Sequence, residues 1–192
     1  RRPRSSRMPA AKNTLRIIGG EWRSRVIIFS PHAELRPTPD RVRETLFNWL
    51  GQDLTGRTCL DLFAGSGALG FEAASRGAKR VVMVERDAAT FRALEASTAA
   101  LGANTVALKR GDALEFLRAD NGEYDVVFLD PPFRTGYLPQ VLPALVPRLA
   151  SGAMVYVEAP RAPALPPQWE VWRSGRAGAV TYQLLKWTGH EP

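Results

Sequence analysis

An apolar run, Tyr124 to Leu129, stops at Asp130-Pro131-Pro132-Phe133. The two prolines remove two backbone donors and fix two φ angles, and the first pushes Asp130 towards an extended conformation. The segment therefore presents a carboxylate, an unpaired backbone carbonyl and a flat ring in a preset arrangement. Those parts accept hydrogen bonds and stack on a ring; taken alone, they also suit a rigid strand exit. A second group lies upstream. DLFAGSGALG places Gly65, Gly67 and Gly70 in a G-x-G-x-x-G spacing between a strand and a helix. In that context the glycines permit a tight turn and a close approach of backbone to a ligand. Glu85 follows 20 residues after Gly65, at the end of the next strand, where a carboxylate can take a ribose diol. Together these features point to an adenosine-type cofactor. Asp61, four residues before Gly65, narrows the choice. A carboxylate beside the ligand suits a cofactor carrying an ammonium and a sulfonium and disfavours a pyrophosphate. Asp112, after the third strand, can accept from an adenine amine, cap the following helix, or do both.

Alternating strands and helices must position these groups. TCLDLF, RVVMVE, NTVALKR, YDVVFLD and AMVYVEA read as strands, separated by helices over Ala68–Arg76, Ala88–Leu101, Ala113–Leu117 and Leu138–Leu149. Pro143 and Pro147 should shorten or bend the last of these. Strands alternating with helices mean βαβ units and a parallel sheet. WEVWRSGRAGAVTYQLLKW closes the chain as a hairpin, expected to add an antiparallel strand at one edge. Asp61, Glu85 and Asp112 then line the carboxyl ends of three successive strands, where open α/β sheets bind ligands. Ahead of this body, LRIIGGEWRSRVIIF reads as a hairpin around Gly19-Gly20. A helix follows, with Thr38 as N-cap, Pro39 first, an apolar stripe of Val42, Leu46, Trp49 and Leu50, and Gly51 as its stop. Residues 1–14 are expected to be a disordered basic tail, 15–51 an N-terminal extension and 52–192 the main domain. Trp22 and Trp49 are assigned to the core, and Cys59 to a small buried apolar position.

The 192 residues carry a net charge of +7. Eleven Lys/Arg and three acids fall at or before Arg43, so this front segment holds +8 and the remainder about −1. A basic front end on a near-neutral body points to nucleic acid. Arg23, Arg25, Arg36 and Arg41 are the candidate phosphate contacts, and Arg43 is set aside as the partner of Glu44 or of the cofactor side. One cysteine excludes an internal disulfide and a Cys-rich zinc site, and His32 and His190 lie far apart, so no metal is expected. No apolar run approaches the roughly 20 residues that span a membrane, and the start lacks the apolar stretch of a secretory signal. A cytoplasmic monomer is expected.

This order of motifs resembles the class I S-adenosylmethionine-dependent methyltransferases. DPPF resembles the [DN]-P-P-[FYW] motif of enzymes that methylate exocyclic base amines. LRPTPDRVRETLFNWL with DLFAGSGALGFEAASRGA is similar to the bacterial 16S rRNA guanine-N2 methyltransferase family, from about Arg16 to Trp187. The Pro-rich APRAPALPP and the basic extension match no motif of that family. The resemblance implies a Rossmann-like, doubly wound, mostly parallel seven-stranded α/β sheet. It implies S-adenosyl-L-methionine as cofactor, held by Asp61, Phe63, Ala64, Gly65, Ser66, Gly67, Glu85, Arg86, Asp112, Ala113 and Asp130. It implies catalysis at Asp130, Pro131, Pro132 and Phe133 on one guanine of 16S rRNA, in the small ribosomal subunit or its assembly intermediate. Adenine-N6 methylation of DNA or RNA shares the DPPF chemistry and stays open on the residues. An assembly factor with a vestigial cofactor site is disfavoured by the intact Asp61, Gly65, Gly67, Glu85 and Asp130. An NAD oxidoreductase is disfavoured by Asp61 and DPPF. The roles of Glu158 and Tyr182 are left unassigned.

Overall fold

A computed structural model describes residues 13–31, 37–132 and 136–189. The front segment forms an antiparallel hairpin, β1 (Thr14–Arg16) and β2 (Val26–Ile28), then helix α1 (Asp40–Leu50). The body runs β3 (Thr58–Asp61), α2 (Ala68–Ser75), β4 (Arg80–Glu85), α3 (Ala88–Leu101), β5 (Val106–Arg110), α4 (Ala113–Ala119), β6 (Tyr124–Leu129), α5 (Leu138–Leu145), β7 (Leu149–Ala159), β8 (Trp169–Ala177) and β9 (Val180–Trp187). The seven-stranded sheet has the order β5-β4-β3-β6-β7-β9-β8. β3 to β7 pair in parallel, β9 runs antiparallel to β7, and β8 antiparallel to β9. The closing hairpin does lie at one edge, but its antiparallel strand is the inner one, β9.

Strand alternation divides the core into two faces. Cys59, Val81, Met83, Val126, Phe128, Tyr156 and Leu184 face α1, α2 and α3 through Leu46, Phe47, Phe71 and Leu94. Leu60, Val82, Val84, Val127, Leu129, Val155, Val157 and Leu185 face α4 and α5 through Leu117, Val141 and Leu145. These runs are apolar at consecutive positions because both sides of a parallel sheet are covered.

Several sequence expectations shift. Phe29 donates to the carbonyl of Asn13, and Thr14 begins β1, so order starts before residue 15. Pro143 lies inside α5, which ends at Leu145 and tightens into a 3₁₀ turn at Val146–Arg148, around Pro147. β7 then starts four residues before the predicted Ala153, at Leu149. Thr38 is not the cap of α1. That position falls to Pro39 without a side-chain hydrogen bond, and Thr38 turns its hydroxyl inward to Glu158. Gly51 stops the helix in the left-handed region at φ 98°.

The hairpin is docked on the end of α2. The Glu21 amide donates to the Ser75 carbonyl at 2.7 Å, the Trp22 amide to Ser75 Oγ at 2.9 Å, and Ser75 Oγ donates to the Gly19 carbonyl at 2.6 Å. Gly20 makes this approach possible. Its φ is 78°, and a Cβ there would sit 1.9 Å from the Ser75 carbonyl oxygen.

Candidate active site

Glu85, Asp61, Asp130 and Glu158 end or follow β4, β3, β6 and β7, four neighbouring strands. Each falls on the same alternation as its strand's residues on the α1–α3 face, so the four carboxyls form one row along the carboxyl edge. β3 and β6 lie at the middle of this row. Helices leave them on opposite faces, which opens the crevice where such sheets take ligands.

The glycine loop is folded onto two of these acids. Glu85 Oε2 accepts from the Gly65 amide at 2.8 Å and Oε1 from the Asp87 amide at 3.0 Å. Asp61 Oδ2 accepts from the Gly70 amide at 3.0 Å. Gly67, at φ 84°, starts α2, and a Cβ there would lie 2.4 Å from the Phe71 ring. Asp61 is 2% exposed. Burial pushes its carboxyl up to about 7, the Gly70 hydrogen bond opposes the rise, and the charge of Glu85 adds to it. Ala64 and Ser66 are buried in the loop, and Ser66 Oγ accepts from the Ala68 amide. At the rim, the exposed Arg86 donates to the Tyr137 hydroxyl at 3.3 Å, and the Phe63 ring lies 5.6 Å from that of Tyr137. Asp112 is the N-cap of α4, its Oδ2 accepting from Leu114 and Glu115 at 3.0 and 3.1 Å, with Ala113 buried behind it.

The second half of the site is a cluster that sequence reasoning found only in part. Glu158 Oε2 accepts from the Thr38 hydroxyl at 3.2 Å and from the Tyr156 hydroxyl at 3.0 Å. Asp130 is raised well above the usual carboxylate range, by burial first and then by the charges of Glu158 and Asp61, while a Thr38 hydrogen bond opposes the rise. Burial also raises Glu158 and pushes the Tyr156 phenol far above its ordinary value. Pro131 is buried and Pro132 exposed; Phe133 lies outside the described residues. Tyr182 pairs in register with Glu158, and its ring stacks on Trp49 at 5.4 Å. Strand alternation could have found Tyr156, two residues before Glu158 and on the same face. Nothing local could have found Thr38, because its partner is 120 residues away.

The buried Arg43 is not paired with Glu44. Its guanidinium donates to the Thr38 and Arg16 carbonyls, to Asp40 at 2.5 Å and to Glu72 at 3.3 Å. Glu72, wholly buried, also accepts from the amides of Ile18 and Gly19 at 3.0 and 2.9 Å and from Arg76 Nε at 3.0 Å. This network ties hairpin, α1 and α2 together and holds Thr38 over the acid row. Among the candidate RNA contacts, Arg23 and Arg41 are exposed. Arg25 is exposed but donates to the Ala100 carbonyl near the end of α3 at 2.8 Å, and Arg36 lies outside the described residues. Trp22 is in the core, and Trp49 packs half-buried against it. Cys59 is fully buried, and burial pushes its thiol up to about 12, which keeps it protonated.

A family model described as "Conserved hypothetical protein 95" matches residues 15–186. The "Ribosomal RNA small subunit methyltransferase D" of Escherichia coli strain K12 is 42% identical over 177 residues, covering 90% of this chain and 89% of that protein. This chain belongs to the ribosomal RNA small subunit methyltransferase D family. A solved family structure, "Putative methyltransferase yhhF from Escherichia coli", superposes with a TM-score of 0.84 at 41% identity, over 93% of this chain and 100% of that one. An RNA methyltransferase from Salinibacter ruber, solved in complex with S-adenosyl-L-homocysteine, gives a TM-score of 0.63 at 25% identity, over 82% and 97%. The family match starts at Leu15, within β1, so it includes nearly all of the docked hairpin. Among the described residues no helix is long and apolar enough to cross a membrane.

Proposed function

We propose that this chain transfers a methyl group from S-adenosylmethionine to the exocyclic N2 amine of a guanine in small-subunit ribosomal RNA. The observation that carries the reading is the continuous row from Glu85 and Asp61, at the glycine loop, to Asp130 and Glu158. A cofactor site and an acceptor site thus share one crevice. Asp61, Glu85 and Asp112 offer hydrogen-bond acceptors only. They match an ammonium, a ribose diol and an adenine amine, and would repel a pyrophosphate. When bound, S-adenosylmethionine supplies a methyl group on a sulfonium centre.

The chain's own work is positioning. A guanine N2 lone pair is delocalised into the ring and is a poor nucleophile. Asp130 and the Pro131 carbonyl accept the amine's two N–H bonds and hold its lone pair towards the methyl. Good alignment of this kind supplies roughly 7–11 kcal/mol. The methylated nitrogen then loses a proton to Asp130 or to water. Phe133 stacks on the base, a contact worth about 1–3 kcal/mol in nucleic-acid sites. The base must leave its stack to enter. Arg23, Arg25, Arg36 and Arg41 grip the surrounding phosphates.

Labelled S-adenosylmethionine with three acceptors tests this: small subunits from a strain lacking the enzyme, naked 16S rRNA, and duplex DNA. N2-methylguanosine at one rRNA position is expected. N6-methyladenine, or label in DNA, would overturn the substrate assignment. Cofactor affinity should also depend on pH. Asp61 titrates at about 7 without a ligand and must be ionised to hold the ammonium. Below that value binding has to expel a proton, so affinity for S-adenosylhomocysteine rises up to roughly tenfold per pH unit between about 5 and 7 and then levels. Calorimetry on Asp61→Asn should show weaker binding without that slope.

A further inference from the structure

Asp130 and Pro131 account for the two hydrogens of the amine, and Glu158 is left over. It sits on β7 one residue beyond the last paired positions, Leu129 and Val157, and so lies alongside Asp130. Neighbouring strands are about 4.8 Å apart, so the two carboxyls are neighbours. Glu158 is 9% exposed. The Thr38 and Tyr156 hydroxyls both donate to Oε2, which fixes the side chain's rotation. Oε1 accepts no hydrogen bond from a described residue. The site therefore holds a buried, oriented acceptor with one oxygen to spare, next to the group that grips the amine.

The two candidate bases differ at the ring position beside their amine. Guanine carries N1–H there, a donor; adenine carries N1 with a lone pair, an acceptor. We infer that Glu158 selects guanine: Oε1 accepts from N1–H while Asp130 and Pro131 hold the N2 amine. This rests on the guanine reading above. With Glu158 in place, guanine meets an acceptor with each of its three edge N–H groups. Adenine sets a lone pair against a carboxylate and leaves Oε1 buried without a partner. Burial raises Glu158, and the two hydroxyls on Oε2 oppose that rise; when ionised, the carboxylate is acceptor-only. Sites built to hydrogen-bond a substrate N–H reject analogues lacking it by about 10⁴–10⁵-fold.

2-Aminopurine separates the two groups on one base, because it keeps the C2 amine and replaces N1–H by a lone pair. Small-subunit rRNA rebuilt by ligation with guanine or 2-aminopurine at the methylated position, and reconstituted into subunits, is the acceptor. The wild-type enzyme is expected to prefer guanine by at least about 10³-fold in kcat/KM. In Glu158→Gln the amide can donate to the N1 lone pair, so the preference should fall by at least about 100-fold or invert. Unchanged S-adenosylhomocysteine affinity is expected in the variant. Equal preference in wild type and variant, with both methylating guanine, overturns the inference and leaves the guanine reading standing. A wild-type enzyme that methylates both bases equally also overturns it, without need of the variant. Absence of N2-methylguanosine from wild-type reactions overturns both.

Discussion

Asp130→Ala abolishes nearly all methyl transfer, lowering kcat/KM on the order of 10³-fold or more, while Asp130→Asn keeps measurable activity. The asparagine oxygen still accepts one amine hydrogen and preserves the pocket's shape; alanine removes acceptor and alignment together. Single-turnover kinetics on small subunits checks this, and equal inactivity of the two variants would sink the orientation argument in favour of an obligatory base. Stability should move the other way. The folded-state carboxyl of Asp130 is raised, chiefly by burial, so between the ordinary carboxylate value and that raised value the native state holds a proton the unfolded chain has lost. Stability therefore falls as pH rises through that window. Asp130→Asn removes the titration, and the variant should melt at a higher temperature than wild type at neutral and alkaline pH.

Glu72→Ala has the opposite signature. The side chain is wholly buried and receives two amides and two guanidinium groups. Its removal leaves the buried Arg43 with Asp40, which is exposed, as its one acid partner among the described residues, and strands the amides of Ile18 and Gly19. Removing one partner of a buried pair costs about 3–5 kcal/mol, and urea titration should show a loss of that size. Glu72→Gln, which keeps an acceptor oxygen, should lose less. In Glu72→Ala under folding conditions, transfer to rRNA should drop more than S-adenosylhomocysteine affinity. The network holds Thr38 and the hairpin, whereas Asp61 and Glu85 are anchored by the glycine loop. Equal loss of both would mean that the network supports the whole sheet edge.

Most of the glycine-loop arrangement was legible because it is local. A strand, a glycine turn and a helix follow one another in sequence, and the partners Gly65–Glu85 and Asp61–Gly70 lie 20 and 9 residues apart. The helices over Ala88–Leu101 and the strand Arg80–Glu85 were readable to the residue because apolar period and caps agree there. Thr38 was misread for the same local reason. Thr before Pro looks like a helix cap, and only tertiary contact offers its hydroxyl a buried carboxylate instead.

The sequence by itself determined the alternation of strands and helices, the acids at strand ends and the Asp-Pro-Pro exit, since each is a matter of period or fixed dihedral angle. Tertiary structure alone decided that Arg43, besides meeting Asp40 on its own helix, reaches across to the hairpin and Glu72 and not to Glu44. It also decided that Glu158 and Tyr156 join Asp130 through Thr38. A buried charge takes whichever partner the packing brings within reach, and sequence distance carries no information about that choice.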